Sequence, residues 1–265
     1  MRRIIDCHAH IFPEKIAEKA SINIGAFYGL PTKFIATTKN LIKSGEPIGV
    51  TKFAVQSVAT KADQCSVINN FILEEMTKHE GVIYGLGAMH PDLKKDEIDE
   101  IIKFVKANNL RGIKLHPDIQ KFNTDDPKMH EIYDQLSQNE LPLLIHSGDF
   151  RYDYSRPFRL ANILKLFPKL KVIAAHFGGW MQWDEAMELL FPTNCFIDTS
   201  STFDFIPRNK IREALNLFGS ERVLFGSDYP MWPARYELNY LDSLALDEEV
   251  MDKILYKNCA QLLNI

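Results

Sequence analysis

Eight short apolar runs, separated by amphipathic stretches, recur along the chain, and this alternation limits the fold more than any other feature. The runs cover 3–7, 52–59, 82–89, 112–115, 141–145, 171–175, 195–197 and 222–225. They are near-continuous in Val, Ile, Leu and Phe, the pattern of strands buried on both faces. Between them, Ile98, Ile101, Ile102 and Val105 fall at helical spacing within 95–108. The stretches 127–139 and 156–167 read the same way. In LRGIKLHP a helix end, Gly112, a strand and Pro117 follow in order, and the proline forbids further ladder pairing. Eight strands, each followed by a helix, is the count of a (β/α)8 TIM barrel. A doubly wound sheet would place a glycine-rich phosphate loop after the first strand, whereas DCHAHIFPEK contains no glycine. A single α/β domain over 1–265 is therefore predicted. The stretch 20–50 is long for a strand-to-helix connection. It holds GAFYGLP and a helix-like piece near Thr37 to Lys43, and it reads as an elaborated first loop lying over the barrel mouth.

Composition narrows the function class. The 265 residues carry 31 Lys and Arg against 35 Asp and Glu, a net charge of -4, so no basic surface invites a nucleic acid. Hydrophobic and charged shares of 46% and 25% are those of an ordinary globular domain. No apolar run nears the roughly 20 residues that span a bilayer, and the start MRRIIDCHAHIF lacks a signal-peptide core. Cys7, Cys65, Cys195 and Cys259 lie far apart with no CxxC pair, which suits a reducing, cytoplasmic location.

The histidines are the most informative residues. His79 and His130 fall in predicted helices at the surface. The other six, His8, His10, His90, His116, His146 and His176, lie at or just past the C-terminal ends of predicted strands, the face on which parallel barrels build active sites. In DCHAH, His8 and His10 share one side of a strand by alternation, which turns Cys7 and Ala9 outward. Two imidazoles so close either satisfy each other's surroundings as core residues or ligate one cation. His146 ends the apolar LLIHSGD, where an unpartnered ring is costly. His176 in AAHFGGW precedes two glycines that open space for a ligand. Asp228 in VLFGSDYP needs a cation, a donor or a raised pKa at such a rim. Each alone reads equally well as a core or capping residue. Together, five side chains from four strands suit Zn²⁺ or another divalent transition metal with an open, catalytic coordination position.

DCHAH, the stretch from GLGAMHPD through RGIKLHPDIQKFNTDDP, then LPLLIHSGD, VIAAHFGGW, FIDTSS and RVLFGSDYP, resemble the amidohydrolase superfamily in sequence order. The similarity is to the branch typified by aminocarboxymuconate-semialdehyde decarboxylase. The resemblance implies a (β/α)8 barrel with one divalent ion, zinc foremost, held by His8, His10, His146 and Asp228. It also implies that His176 stands beside the metal-bound water as acid/base or electrophile. Other amidohydrolases bridge two metals with a carboxylated lysine. Lys114 lies in the corresponding strand but inside it, so it reads instead as a buried cation paired with an acid such as Asp6. Asp6 alternatively orients a ligand from behind.

The expected reaction is hydrolysis of a small ester, lactone or amide by the metal-bound water, with Asp228 carrying the proton and His176 polarising the carbonyl. Decarboxylation of an unsaturated or aromatic carboxylate at the same site is the alternative, with protonation of carbon assisted by His176. Substrate selection falls to loop residues. These are Tyr28 beside Phe27, Trp180, Trp232, His116 as substrate contact or rim hydrogen bond, and Arg151 beside Tyr152 as a carboxylate holder or a solvated loop residue. His90 reads as structural. A TatD-like nuclease would want a basic groove and a non-catalytic metal-binding barrel would want a broken ligand set; the chain has neither. The partner is a small molecule, with no membrane or nucleic acid and with a homodimer allowed.

Overall fold

A computed structural model describes residues 2–265. Strand β1 (Ile4–His10) pairs in parallel with β2 (Val50–Gln56), and β2 with β3 (Ile83–Gly85). A second parallel series joins β4 (Gly87–Ala88), β5 (Ile113–Leu115), β6 (Leu143–Ile145), β7 (Val172–Ala174), β8 (Phe196–Asp198) and β9 (Val223–Leu224). β3 and β4 are halves of one stave, interrupted at Leu86, whose N–H still donates to Val55 O at 2.8 Å. The two ends meet. Cys7 N–H donates to Phe225 O (2.9 Å), Asp228 N–H to His8 O (2.8 Å) and His10 N–H to Tyr229 O (2.7 Å). Nine strands thus form the eight staves of a closed parallel barrel, as the apolar runs predict.

The helices are α1 (Glu14–Tyr28), α2 (Thr38–Gly45), α3 (Cys65–Lys78), α4 (Lys95–Ala107), α5 (Pro117–Gln120), α6 (His130–Gln138), α7 (Pro157–Leu166), α8 (Trp183–Leu190), α9 (Arg208–Phe218), α10 (Ala234–Ser243), α11 (Glu248–Asp252) and α12 (Asn258–Leu263). Strand residues of one parity, such as Phe53, Ile113, Leu143, Val172 and Val223, join the large cluster packed against these helices. Residues of the other parity, Ala54, Leu86, Leu144, Ile173 and Leu224, form a separate cluster with Cys259 and Leu263 of α12, which fill the inside of the cylinder. Most staves are therefore apolar on both faces, β5 with its inward Lys114 being an exception, which is why the runs are near-continuous. Leu144 and His146 share a parity, so the inner row that begins as packed hydrocarbon ends in imidazole at the mouth.

Alternation breaks in β1. Register shifts fall between Ile4 and Ile5 and between Asp6 and Ala9. The expected pairing of Cys7 with Ala9 on the outer side is corrected: Ala9 packs outward, while Cys7 joins Ile5 in the inner cluster. A bulge does this, because one extra residue re-aims the side chains beyond it. A second correction concerns 20–28, expected as loop. It is the second half of α1, with Ala17, Ser21 and Gly25 buried at four-residue spacing. Ser21 Oγ donates to Ala17 O (2.7 Å) and accepts from Ala36 N–H (2.9 Å), fastening the helix to the returning chain. Glycine and aromatics are weak helix formers, so packing overrides propensity here. Thr37, as expected near a helix start, caps α2 by accepting from Asn40 N–H at 3.2 Å.

No helix among the described residues is long and apolar enough to cross a membrane. All four cysteines are buried and unpaired. His79 stands at the end of α3, while His130 is half-buried against the Phe167 ring rather than free at the surface.

Candidate active site

The C-terminal ends of β1, β5, β6, β7 and β8 and the turn after β9 converge on one cluster of buried polar side chains. His8, His10 and Asp228 approach closely: Asp228 Oδ1 lies 3.5 Å from His8 Nε2 and 3.4 Å from His10 Nε2. Their nitrogen and oxygen donors all lie within 4.8 Å of one another. Burial lowers the pKa of His8 to about 4, helped by nearby Lys114, and burial also lowers His10, so both rings are neutral and keep lone pairs for ligation. Burial alone would raise Asp228, but the His10 hydrogen bond and the surrounding imidazoles outweigh it and hold the carboxylate well below its ordinary range. Ser201 Oγ donates to Asp228 Oδ2 at 2.6 Å and accepts from Trp232 Nε1–H at 3.0 Å, which fixes the second oxygen.

His146 is placed differently from its expected neighbours. Its Nδ1 lies 2.9 Å from His176 Nε2, and its Nε2 faces Asp118 Oδ2 at 3.4 Å. The His146 ring stacks on His116, with centroids 4.0 Å apart. His146 thus groups with His116 and Asp118 rather than with His8, His10 and Asp228, and His176 bridges the two groups. His176 is anchored through Nδ1 to Ser200 O and Ser200 Oγ, both at 3.0 Å.

Four non-glycine residues here, His176, Phe177, Ser201 and Asp228, adopt left-handed backbone with φ of 62, 54, 50 and 57°. Such conformations cost about 1–3 kcal/mol each and persist where surrounding structure holds them, as at active sites. The glycines after His176 serve packing instead of opening ligand space, which corrects that expectation. A Cβ on Gly178 would come within 3.2 Å of Leu190, and one on Gly179 within 2.8 Å of Pro157.

Behind the cluster stands a row of acids, of which sequence reasoning weighed only Asp6. Asp198 Oδ2 lies 2.8 Å from His8 Nδ1, and Asp198 Oδ1 accepts from His176 N–H at 3.0 Å. Burial opposes its ionisation, but His8 brings its pKa down to about 2. The acid at the tip of β8 was the available signal, equivalent in position to His146 on β6. Asp118 and Ser155 were missed too; Ser155 Oγ donates to Asp118 Oδ2 at 2.5 Å. The expected Lys114–Asp6 pair is absent. Asp6 accepts from Ser227 Oγ (2.5 Å), Ser227 N–H (3.0 Å) and His8 N–H (3.2 Å), and burial pushes its pKa up to about 7. Lys114 Nζ instead donates to His8 Nε2 at 3.0 Å, and burial brings its pKa down to about 8. The short loop after β9 gives Asp6 its partners, so the lysine chain, rising along the inner row, meets the histidine first.

A cavity of about 270 Å³ lies over the cluster. Phe12, Ile24, Phe27, Tyr28, Val58 and Ile119 give it apolar walls, with His116, Lys114 and the cluster as its floor. Tyr28 OH lies 2.7 Å from His116 Nε2. Trp180 and Trp232 line an adjoining niche with Phe205, Met231 and Leu30. Arg151 reaches neither space; it pairs with the buried Asp149 through Nε (2.9 Å) and Nη2 (2.6 Å). His90 Nδ1 accepts from Asp92 N–H at 3.2 Å away from the site, in keeping with its structural reading.

The residues fit a divalent cation. His8 carries the carboxylate–histidine pairing that aims and polarises a metal-binding ring. Its neighbours add a second imidazole and an ionised carboxylate, and His146 Nε2 is buried without a hydrogen-bond partner.

A family model described as Amidohydrolase matches residues 5–265. A dihydroorotase from Acinetobacter baumannii is 30% identical over 92 residues, 29% of this chain and 26% of that protein. The chain thus matches about a quarter of that relative's length. Among solved structures, an uncharacterized TIM-barrel protein from Bordetella bronchiseptica superposes with a TM-score of 0.82 at 18% identity, covering 99% of this chain and 98% of that one. A dihydroxybenzoic acid decarboxylase from Polaromonas sp. JS666, with bound manganese and the inhibitor 2-nitroresorcinol, gives 0.78 at 13% identity, over 100% and 97%. At these identities the likeness is one of fold.

Proposed function

This chain belongs to the amidohydrolase family and is an enzyme, and from that premise we propose that it decarboxylates a small planar carboxylic acid, aromatic or unsaturated, without an oxidant. The observation that carries the reading is the cavity's apolar, aromatic wall directly over a polar floor. Taking a carboxylate out of water raises its free energy, whereas the carbon dioxide that leaves is neutral and loses little. An apolar slot also fits the face of a flat ring. The decarboxylase among the structural neighbours carries an aromatic inhibitor, which accords with this substrate class.

His8, His10 and Asp228 would hold the metal ion, with His146 completing the set by turning its unpartnered Nε2. Zinc suits this nitrogen and carboxylate set, and manganese is the ion in that neighbour. When bound, a divalent ion supplies a Lewis acid that stabilises negative charge on a substrate oxygen. Lys114, the one lysine or arginine lining the cavity among the described residues, receives the substrate carboxylate in place of Arg151. The carbon–carbon bond breaks with its electron pair left on the substrate carbon, and a proton takes that pair. His176, protonated on both nitrogens, delivers it from Nε2, because Nδ1–H is fixed on Ser200 O, and is left as the neutral ring. Tyr28 and His116 orient the ring and keep bulk water out. Trp180 borders the exit side. The unpaired buried cysteines support a reducing, cytoplasmic location, and the net charge of -4 favours a small-molecule partner over a nucleic acid.

Hydrolysis of a lactone or cyclic amide is the second reading, favoured by the dihydroorotase-like stretch and by the carboxylate of Asp228 standing beside His8 and His10. Purified protein, loaded separately with zinc and manganese, would be offered hydroxybenzoates and dihydroorotate. Release of carbon dioxide from the first set is expected. Ring opening of dihydroorotate with no carbon dioxide from any acid would replace this reading with the second.

A further inference from the structure

The cavity wall nearest the mouth is the last turn of α1, and nothing in that turn bonds it directly to the barrel backbone. Its hold comes from the loop after β6. Arg151 donates through Nη1 to Phe27 O at 2.5 Å. The same guanidinium lies 5.0 Å from the Phe27 ring centroid and 5.3 Å from that of Tyr28, with Tyr152 at 5.3 Å and Trp180 at 5.8 Å. Asp149, fully buried, fixes the guanidinium from behind by two bonds. From the same turn, Tyr28 OH closes the chain of contacts on His116. One planar cation, itself outside the cavity, thus ties the loop carrying His146 to the two aromatic residues that face the substrate space.

We infer that Arg151 is a positioning residue for substrate selection: it sets the width of the slot by holding the Phe27–Tyr28 turn of α1 down over the floor. The inference takes the cavity as the substrate site, as proposed above, but does not depend on which bond is broken. The physical warrant is the fork geometry of guanidinium. It satisfies Asp149 bidentately, keeps one donor for a carbonyl, and offers two flat faces to aromatic rings. A lysine ammonium can neutralise Asp149 but lacks the plane and the reach to serve Phe27 O as well. With the clamp gone, the turn is held by Tyr28–His116 and by its own capping bonds at Gly29 and Leu30.

The test uses the full chain loaded with zinc. Arg151→Lys is the informative variant, because it leaves Asp149 neutralised and the fold intact; Arg151→Ala is the second. Hydrogen exchange at the amides of 26–30 should quicken about tenfold in both, with exchange in the barrel strands and zinc content unchanged. Millimolar guanidinium should restore protection in Arg151→Ala. On whichever acid or lactone the wild type turns over, KM should rise about tenfold while kcat moves less than about threefold, since the floor chemistry is untouched. Wild-type exchange rates in the turn would overturn the inference, as would a loss confined to kcat. Because exchange is read without substrate, failure of the proposed reaction and failure of the clamp give separate signatures.

Discussion

His8 Nδ1 and Asp198 Oδ2 lie 2.8 Å apart, with both side chains closed to solvent. The pairing fixes the tautomer: Nδ1 carries the proton and donates it, so Nε2 keeps the lone pair, which accepts from Lys114 Nζ and is the one available to a cation. Asp198→Asn keeps the shape and removes the charge, and its NH2 group can reverse the bond and flip the tautomer. Metal affinity should fall about 10–100-fold, the usual size of such effects. Competition with a chromophoric chelator measures it, and unaltered affinity would remove Asp198 from the centre.

His176→Ala separates chemistry from metal retention. His176 bridges the two groups, and on its proposed role as proton donor its loss should leave metal content near one ion per chain and cut kcat about 10²–10⁴-fold. His10→Ala should lose the ion itself. Elemental analysis beside turnover distinguishes the two; equal metal loss in both would reassign His176 as a ligand.

Gly148 allows the chain after His146 to turn back. Its φ is 77°, and a Cβ there would meet Trp180 N at 2.4 Å and Gly179 backbone at 2.5–2.6 Å. Both clashes are with backbone, which cannot rotate away. Gly148→Ala should destabilise the fold by about 2–4 kcal/mol in denaturant titration. A loss below half a kilocalorie would mean the loop re-forms easily.

Asp118 gives stability a pH slope of defined sign. Burial pushes its pKa up to about 7 from 3.8, against the Ser155 hydrogen bond that lowers it. The stabilisation of the neutral form is fully present below about pH 4 and is lost as pH rises through about 7, because the unfolded chain gives up the proton more readily. Asp118→Asn should flatten the stability profile between those limits. The comparison is made on metal-free protein by denaturant titration at pH 4.5 and 7.5, and equal slopes would refute it.

The cysteines should resist alkylation. Burial pushes the Cys65 thiol up to about 12 and Cys195 to about 11, and all four side chains are buried. At pH 8 the native protein should take up almost no iodoacetamide within an hour, and four equivalents after unfolding. Mass spectrometry reads both states.

The barrel was legible because most staves are apolar on both faces, so each strand is a near-continuous run whatever its register. The histidines at strand tips were legible for the same reason, since a polar residue that ends such a run has few other purposes. What escaped was decided by side-chain contacts that strand and helix patterns do not encode. Asp198 matters because it meets His8, 190 residues earlier. Arg151 reads as a ligand for anions until Asp149, two residues before it, occupies the fork. The second half of α1 escaped because a glycine and two aromatics make a poor isolated helix, and only the cavity edge rewards them.

Barrel closure has a consequence for biosynthesis. Asp228 hangs its backbone on His8, so the first and last staves must dock before three donors exist as a group. A nascent polypeptide that stops short of Asp228 carries every histidine and yet lacks the carboxylate of the His8, His10 and Asp228 group. An ion held by His8, His10 and Asp228 would thus arrive late, and uptake of the ion by ribosome-stalled truncations would serve as a clock for completion of the cylinder.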